Sequence, residues 1–182
     1  MKLTNSFFQN KDTITLAQDL LWKVFVRETE YWVISWIINE VEAYVENDEA
    51  SHTFWWRKTK RNEIMFKESW HLYVYFTYGM YHCLNIVSDK EWYWSAVLIR
   101  SVIPLEWIDL IIKNRKYEWK NIKNLVNGPW KVCIAFWIGK NHNWINLLDK
   151  NTDIYLEDIW YKLPTIKTSK RIWISKWVDR DW

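Results

Sequence analysis

Apolar residues recur along this chain with two different periods. Between Thr15 and Leu21 they fall at Leu16, Leu20 and Leu21, the spacing of a short helix with one apolar side. The run Lys23 to Arg27 (KVFVR) is β-branched and aromatic and predicts a strand. Val33 to Tyr44 alternates towards its end, which places Glu40, Glu42 and Tyr44 on one face and Val41 and Ala43 on the other. Val45 to Lys60 is polar and reads as a loop. His71 to Tyr78 and Met80 to Val87 are two β runs broken at Gly79, the pattern of a hairpin. Ser95 to Arg100 (SAVLIR) predicts a further strand. Pro104 is expected as the first residue of a helix running to about Arg115, and Asn127-Gly128-Pro129 opens a second helix with Val132, Ala135 and Phe136 inside. Ile154 to Glu157 and Arg171 to Ser175 predict late strands. Strands clustered in the middle with helices flanking them imply an α+β fold, a single domain over residues 1–182.

Composition narrows the class and raises one anomaly. Charged residues make up 26%, and no run of about eighteen apolar residues occurs, so a soluble cytoplasmic protein without a membrane span is expected. Two distant cysteines, Cys83 and Cys133, offer neither metal spacing nor a disulfide framework. A net charge of +3 is compatible with a polyanionic partner. The anomaly is 17 Trp against 3 Gly, where glycine ordinarily supplies about 7% of residues. Many tryptophans stand where turn chemistry is expected: Ser69-Trp70, Asn143-Trp144, Glu91-Trp92-Tyr93-Trp94 and Trp55-Trp56. The expectation is a gene that uses UGA for glycine, read with a table that assigns UGA to tryptophan.

Six sequence blocks occur in a telling order. They are Glu42-Ala43-Tyr44, Ser51-His52, Lys60-Arg61-Asn62, Leu72 to Asn85, Val97 to Arg100, and Asn127-Gly128-Pro129-Trp130-Lys131. Together they resemble the alkyladenine (3-methyladenine) DNA glycosylase family, over roughly residues 15 to 180. Where that family's glycines can be placed, this chain has Trp22, Trp56, Trp70, Trp130, Trp137 and Trp173, while Trp182 matches an authentic tryptophan. The resemblance implies a mixed, mainly antiparallel curved sheet with flanking helices and a protruding β-hairpin. It also implies a bacterial base-excision-repair enzyme, monomeric and nucleoid-associated. Such an enzyme binds double-stranded DNA containing alkylated bases, flips the damaged purine out, and hydrolyses its N-glycosidic bond.

Roles carry over residue by residue. Glu42 would position and deprotonate the attacking water and stabilise positive charge on the sugar, and Arg100 would help hold that water. Glu40 lies on the same face, but the resemblance selects Glu42. Tyr44, His52 and Tyr75 would form an aromatic pocket attractive to cationic bases of the 3-methyladenine and 7-methylguanine type, at about 0.5–2 kcal/mol per good contact. Asn85 would crowd the exocyclic amine of normal guanine. Tyr78, with Met80, would intercalate from the hairpin tip. Arg57, Lys58, Lys60 and Arg61 suit phosphate contacts. Neither a metal nor a cofactor is expected. No lysine stands where the family uses a Schiff-base nucleophile, so strand cleavage is not expected either. The family's C-terminal stretch that closes the site lies beyond Asp181-Trp182, so the expectation is either a truncated chain or another segment that supplies that contact. The competing reading is a non-enzymatic nucleic-acid-binding module on the same fold. A carbohydrate binder is prompted only by the tryptophan count.

Overall fold

A computed structural model describes residues 1–118, 121, 124–159 and 165–171. Its described residues form α1 (Asn5–Phe8), α2 (Thr13–Leu20), β1 (Val24–Glu28), β2 (Val33–Tyr44), β3 (Leu72–Thr77), β4 (Tyr81–Ser88), β5 (Ser95–Pro104), α3 (Ile108–Arg115), α4 (Pro129–Ala135) and β6 (Ile154–Glu157). The strands make one six-stranded sheet in the order β3-β4-β5-β2-β1-β6. Every pairing is antiparallel, so the parallel component implied by a mixed sheet is not found among the described strands. None of the described helices is long and apolar enough to cross a membrane.

The period-two pattern assigns each sheet face a job. Leu72, Val74, Leu84, Ile86, Val97, Ile99 and Ala43 point to one side and are buried. They share a core with Leu16 and Leu20 of α2 and with Val132, Cys133 and Ala135 of α4. The alternate residues of the same strands, among them Glu42, Tyr73, Asn85 and Arg100, are left for the opposite face. Helix α2 begins where Asp12 caps it, its carboxylate accepting the Thr15 N–H at 2.7 Å. Helix α4 starts with Pro129, as its sequence predicts.

Two boundaries differ from the sequence-based expectation. Pro104 does not open a helix; it ends β5, paired with Trp36, and the ladder continues one step further through Leu105 N–H to Ser35 O at 3.0 Å. A proline is tolerated there because a strand end needs no N–H from it. Helix α3 starts later, at Ile108. Arg171 lies in no strand, and residues 172–175 of the expected last strand lie outside the described residues.

Left-handed backbone is concentrated at tryptophan. Among the described residues thirteen non-glycine residues have positive φ, and nine are Trp: Trp22, Trp55, Trp56, Trp70, Trp92, Trp94, Trp107, Trp137 and Trp144. All the tryptophans singled out at turn sites are in this set. The left-handed region costs an L-residue about 1–2 kcal/mol, so nine such sites approach the whole net stability of a domain, about 5–15 kcal/mol. The other described tryptophans are Trp32, Trp36 and Trp130, and Trp36 is fully buried between Phe25 and Phe136, its indole N–H without an acceptor among the described residues. Trp107, half exposed at φ 57° and ψ 38° before α3, isolates the backbone effect. Trp107→Gly is expected to stabilise the protein by roughly 0.5–1 kcal/mol after glycine's entropic cost, read as a shift in the midpoint of denaturant unfolding. A lower midpoint would mean the indole's contacts outweigh the strain.

Candidate active site

One row of the sheet organises the site. Tyr73 of β3 pairs with Asn85 of β4, Asn85 with Leu98 of β5, and Leu98 with Glu42 of β2. Directly paired residues of an antiparallel sheet project to the same side, so these four side chains form a continuous strip across four strands. Two residues along each strand, the same face carries Tyr75, Cys83, Arg100 and Tyr44. Register shifts between Ile38 and Val41 mark a bulge or irregularity in β2 around Glu40. Above the strip lies a cleft of about 860 Å³, bounded on another side by Asn127 to Lys131 at the start of α4.

Both oxygens of the Glu42 carboxylate are engaged. Arg100 Nη1 donates to Oε1 at 3.1 Å, and the Tyr44 hydroxyl donates to Oε2 at 2.9 Å. Arg100 also donates Nε to Glu40 Oε1 at 2.8 Å, so one guanidinium spans two carboxylates. Glu42 is only 5% exposed and Arg100 only 9%. A buried carboxylate of this kind is costly without such partners, and its orientation is correspondingly narrow. The geometry suits a group that holds a water and faces developing positive charge.

The expected pocket residues are brought together. His52 meets Tyr75 edge-on with ring centroids 4.5 Å apart, and Tyr73 and Tyr75 are 5.2 Å apart. His52 Nδ1 and the Tyr73 hydroxyl are 2.9 Å apart, either one able to donate according to the imidazole tautomer. Burial, with Arg61 nearby, lowers the His52 pKa to about 4. Burial raises Tyr73 to about 12 and pushes Tyr44 and Tyr75 higher still, with Glu42 adding to the shift at Tyr44. The pocket wall is therefore neutral and ring-rich at neutral pH, without an imidazolium to repel a cationic guest. Asn85 is buried, lines the cleft, and donates Nδ2 to Tyr73 O at 3.1 Å.

Elsewhere the site residues separate. Tyr78 is 78% exposed and Met80 64% exposed at the tip between β3 and β4, and Tyr78 also reaches the cleft. Tyr78 and Gly79 both have positive φ, and Met80 N–H donates to Thr77 O at 3.2 Å, closing the tip. A Cβ at Gly79 would meet nothing within 4 Å, so backbone conformation, not space, calls for glycine there. Within the basic run, Arg61 lies over the Tyr75 ring at 4.8 Å, whereas Lys58 faces Glu63, Phe66 and Trp92. Arg57 and Lys60 are exposed. Buried Asn62 builds this loop, donating Nδ2 to His52 O and Arg57 O at 2.8 and 2.6 Å and accepting from Thr59 N–H at 2.6 Å. Asn62, Tyr73, Asp48 and Arg171 also build the surroundings of the site; Asn62 and Tyr73 lie within the sequence blocks that carry the resemblance, whereas no sequence signal marks the burial of Asp48 or Arg171. Among the described residues no cluster of His, Cys, Asp and Glu is arranged to hold a metal ion.

The described residues thus place a buried, doubly held carboxylate beside an aromatic cleft, with Arg61 and Lys131 next to it. Comparison with known proteins identifies the family. A family model described as methylpurine-DNA glycosylase (MPG) matches residues 6–182. A Clostridium novyi protein named "Putative 3-methyladenine DNA glycosylase" is 44% identical over 185 residues, covering 96% of this chain and 89% of the relative. A Clostridium botulinum protein of the same name, from strain Hall, is 42% identical over 182 residues with the same coverage. This chain belongs to the methylpurine-DNA glycosylase family.

The lowered His52 pKa has a measurable consequence. An unfolded histidine titrates near 6.5, so between about 6.5 and about 4 the unfolded chain binds a proton that the native pocket refuses. Stability is therefore expected to fall as pH drops through that window. In an NMR titration the His52 ring should show a midpoint near 4; a midpoint near 6.5 would mean the imidazole is not desolvated.

Proposed function

We propose that this protein is a monofunctional base-excision-repair glycosylase that flips alkylated purines out of double-stranded DNA and hydrolyses their N-glycosidic bonds with Glu42. The observation that carries the reading is the two-sided grip of Arg100 and Tyr44 on the Glu42 carboxylate, on the same sheet face as the aromatic pocket. Glu42 accepts a proton from the attacking water while its charge favours the oxocarbenium-like sugar. Tyr44, His52 and Tyr75 take the flipped base, and Asn85 disfavours normal guanine. Tyr78, extended by Met80, fills the vacated stack. Arg57, Lys60 and Arg61 contact phosphates, with Lys58 at the edge of that surface. A purely DNA-binding module would have no use for a buried, doubly held carboxylate. The protein acts as a monomer in the cytoplasm on nucleoid DNA.

The active form carries glycine at the tryptophans that adopt left-handed backbone. Their φ values support this reading, and so does exposure of Trp55 and Trp56 (81% and 73%) directly beside the basic loop, where indoles would stand in the way of a duplex.

Two measurements test these statements. In the version carrying glycine at the sixteen tryptophans from Trp22 to Trp177, Glu42→Gln is expected to lower release of free alkylated base from methylated duplex by about 10²–10⁴-fold while leaving DNA binding intact; parental activity in that variant would falsify the assigned role. The second compares the printed sequence with a version having glycine at the sixteen tryptophans from Trp22 to Trp177. Base release confined to the glycine version is the expected result. Equal activity in the printed version would remove the case for recoding, as would an intact mass from the native host matching 17 tryptophans.

A further inference from the structure

Behind the strip that carries Glu42 sits an ion pair that the chemistry above does not use. Arg171 and Asp48 have fully buried side chains, and Arg171 Nη2 lies 2.5 Å from Asp48 Oδ2. The same Nη2 donates to Ala43 O at 2.6 Å. The Arg171 guanidinium also lies over the Tyr44 ring at 4.4 Å from its centroid. Asp48 in turn accepts the Ala50 N–H on Oδ1 at 2.9 Å, which ties the pair to the turn leading to His52.

A pair so fully withdrawn from water is poor value as a stabiliser, because desolvation offsets most of the attraction. Its contacts are better explained by what they hold. Ala43 and Tyr44 directly follow Glu42, and the Tyr44 hydroxyl is the partner of Glu42 Oε2. The other carboxylate oxygen depends on Arg100, which is shared with Glu40. Orientation of Glu42 therefore rests on the Tyr44 ring staying where it is. Arg171 presses on that ring and hydrogen-bonds the backbone beside it. A smaller cavity of about 160 Å³, lined by Glu40, Glu42 and Arg171, reaches the carboxylate from this side. Among the described residues, the charged and titratable groups facing Glu42 include Arg100 on β5, Glu40 and Tyr44 on β2, Cys83 on β4, and Arg171 with Asp48.

We infer that Arg171, held by Asp48, is a positioning residue that acts on Glu42 through Tyr44. The inference rests on the proposed catalytic role of Glu42. Its test is a double-mutant cycle on Arg171→Lys and Tyr44→Phe in the version carrying glycine at the sixteen tryptophans from Trp22 to Trp177; Tyr44→Phe keeps the ring but removes the hydroxyl. The readouts are the single-turnover rate of base release from methylated duplex and the Kd for a duplex carrying a stable abasic-site analogue. Arg171→Lys is expected to slow release about tenfold or more with Kd changed less than about twofold, and to add less than about twofold once Tyr44 is Phe. Losses that multiply in the double variant, or an unchanged rate in Arg171→Lys, would overturn the inference. Should Arg171→Lys fail to fold, Asp48→Asn replaces it in the same cycle with the same criteria. Failure of both to fold would mark the pair as structural and also overturn the inference. An active Glu42→Gln would instead remove the reading on which the inference stands, so the two failures are separable.

Discussion

The site depends on a single arrangement: a carboxylate shut away from bulk water whose two oxygens are claimed by different elements, Arg100 from β5 and the Tyr44 hydroxyl from β2. An ionised group in such surroundings is tolerable only when charge and hydrogen bonds compensate for lost solvation. Much of the surrounding structure can be understood as meeting that condition. Glu40, at the register irregularity in β2, presents a second carboxylate to the same arginine. The aromatic residues then line the cleft without adding charge of their own, since burial keeps His52 neutral and the tyrosines protonated.

Legibility in the sequence follows the range of the interactions. Alternation along β2 placed Glu40, Glu42 and Tyr44 on one face, and the break at Gly79 located the hairpin, because both are local consequences of backbone geometry. The pocket rings became legible through the resemblance, since nothing in the spacing of His52 and Tyr75 says that they meet. Pro104 misled because prolines at a helix start and at a strand end look alike: each sits where its missing N–H is not needed. Arg171 and Asp48 were invisible for a different reason. Their contacts with each other and with Ala43 join distant parts of the chain, and a lone arginine or aspartate carries no sign of burial.

The tryptophans show a fold dictating backbone against its own side chains. Trp22, Trp70 and Trp137 occupy left-handed conformations at a helix end or a turn. Those are conformations that a side chain with a Cβ resists and a glycine does not. The sheet and its packed helices form all the same, because most residues of the main core belong to strands and apolar helix faces rather than to turns. The mismatch between residue type and conformation is therefore informative about the chain's history rather than its architecture.

The strip from Tyr73 through Asn85 and Leu98 to Glu42 links chemistry to strand register. A slip of one residue in any of those three pairings would turn the displaced side chain into the helical core. Length changes within the paired stretch from Glu42 to Tyr44 and inside β3 to β5 are thus all-or-nothing events for this protein, whereas joining segments that carry none of the site residues, such as residues 29–32 between β1 and β2, are free to lengthen or shorten. Divergence within the family should accordingly accumulate as loop insertions around a sheet whose strand phase is invariant.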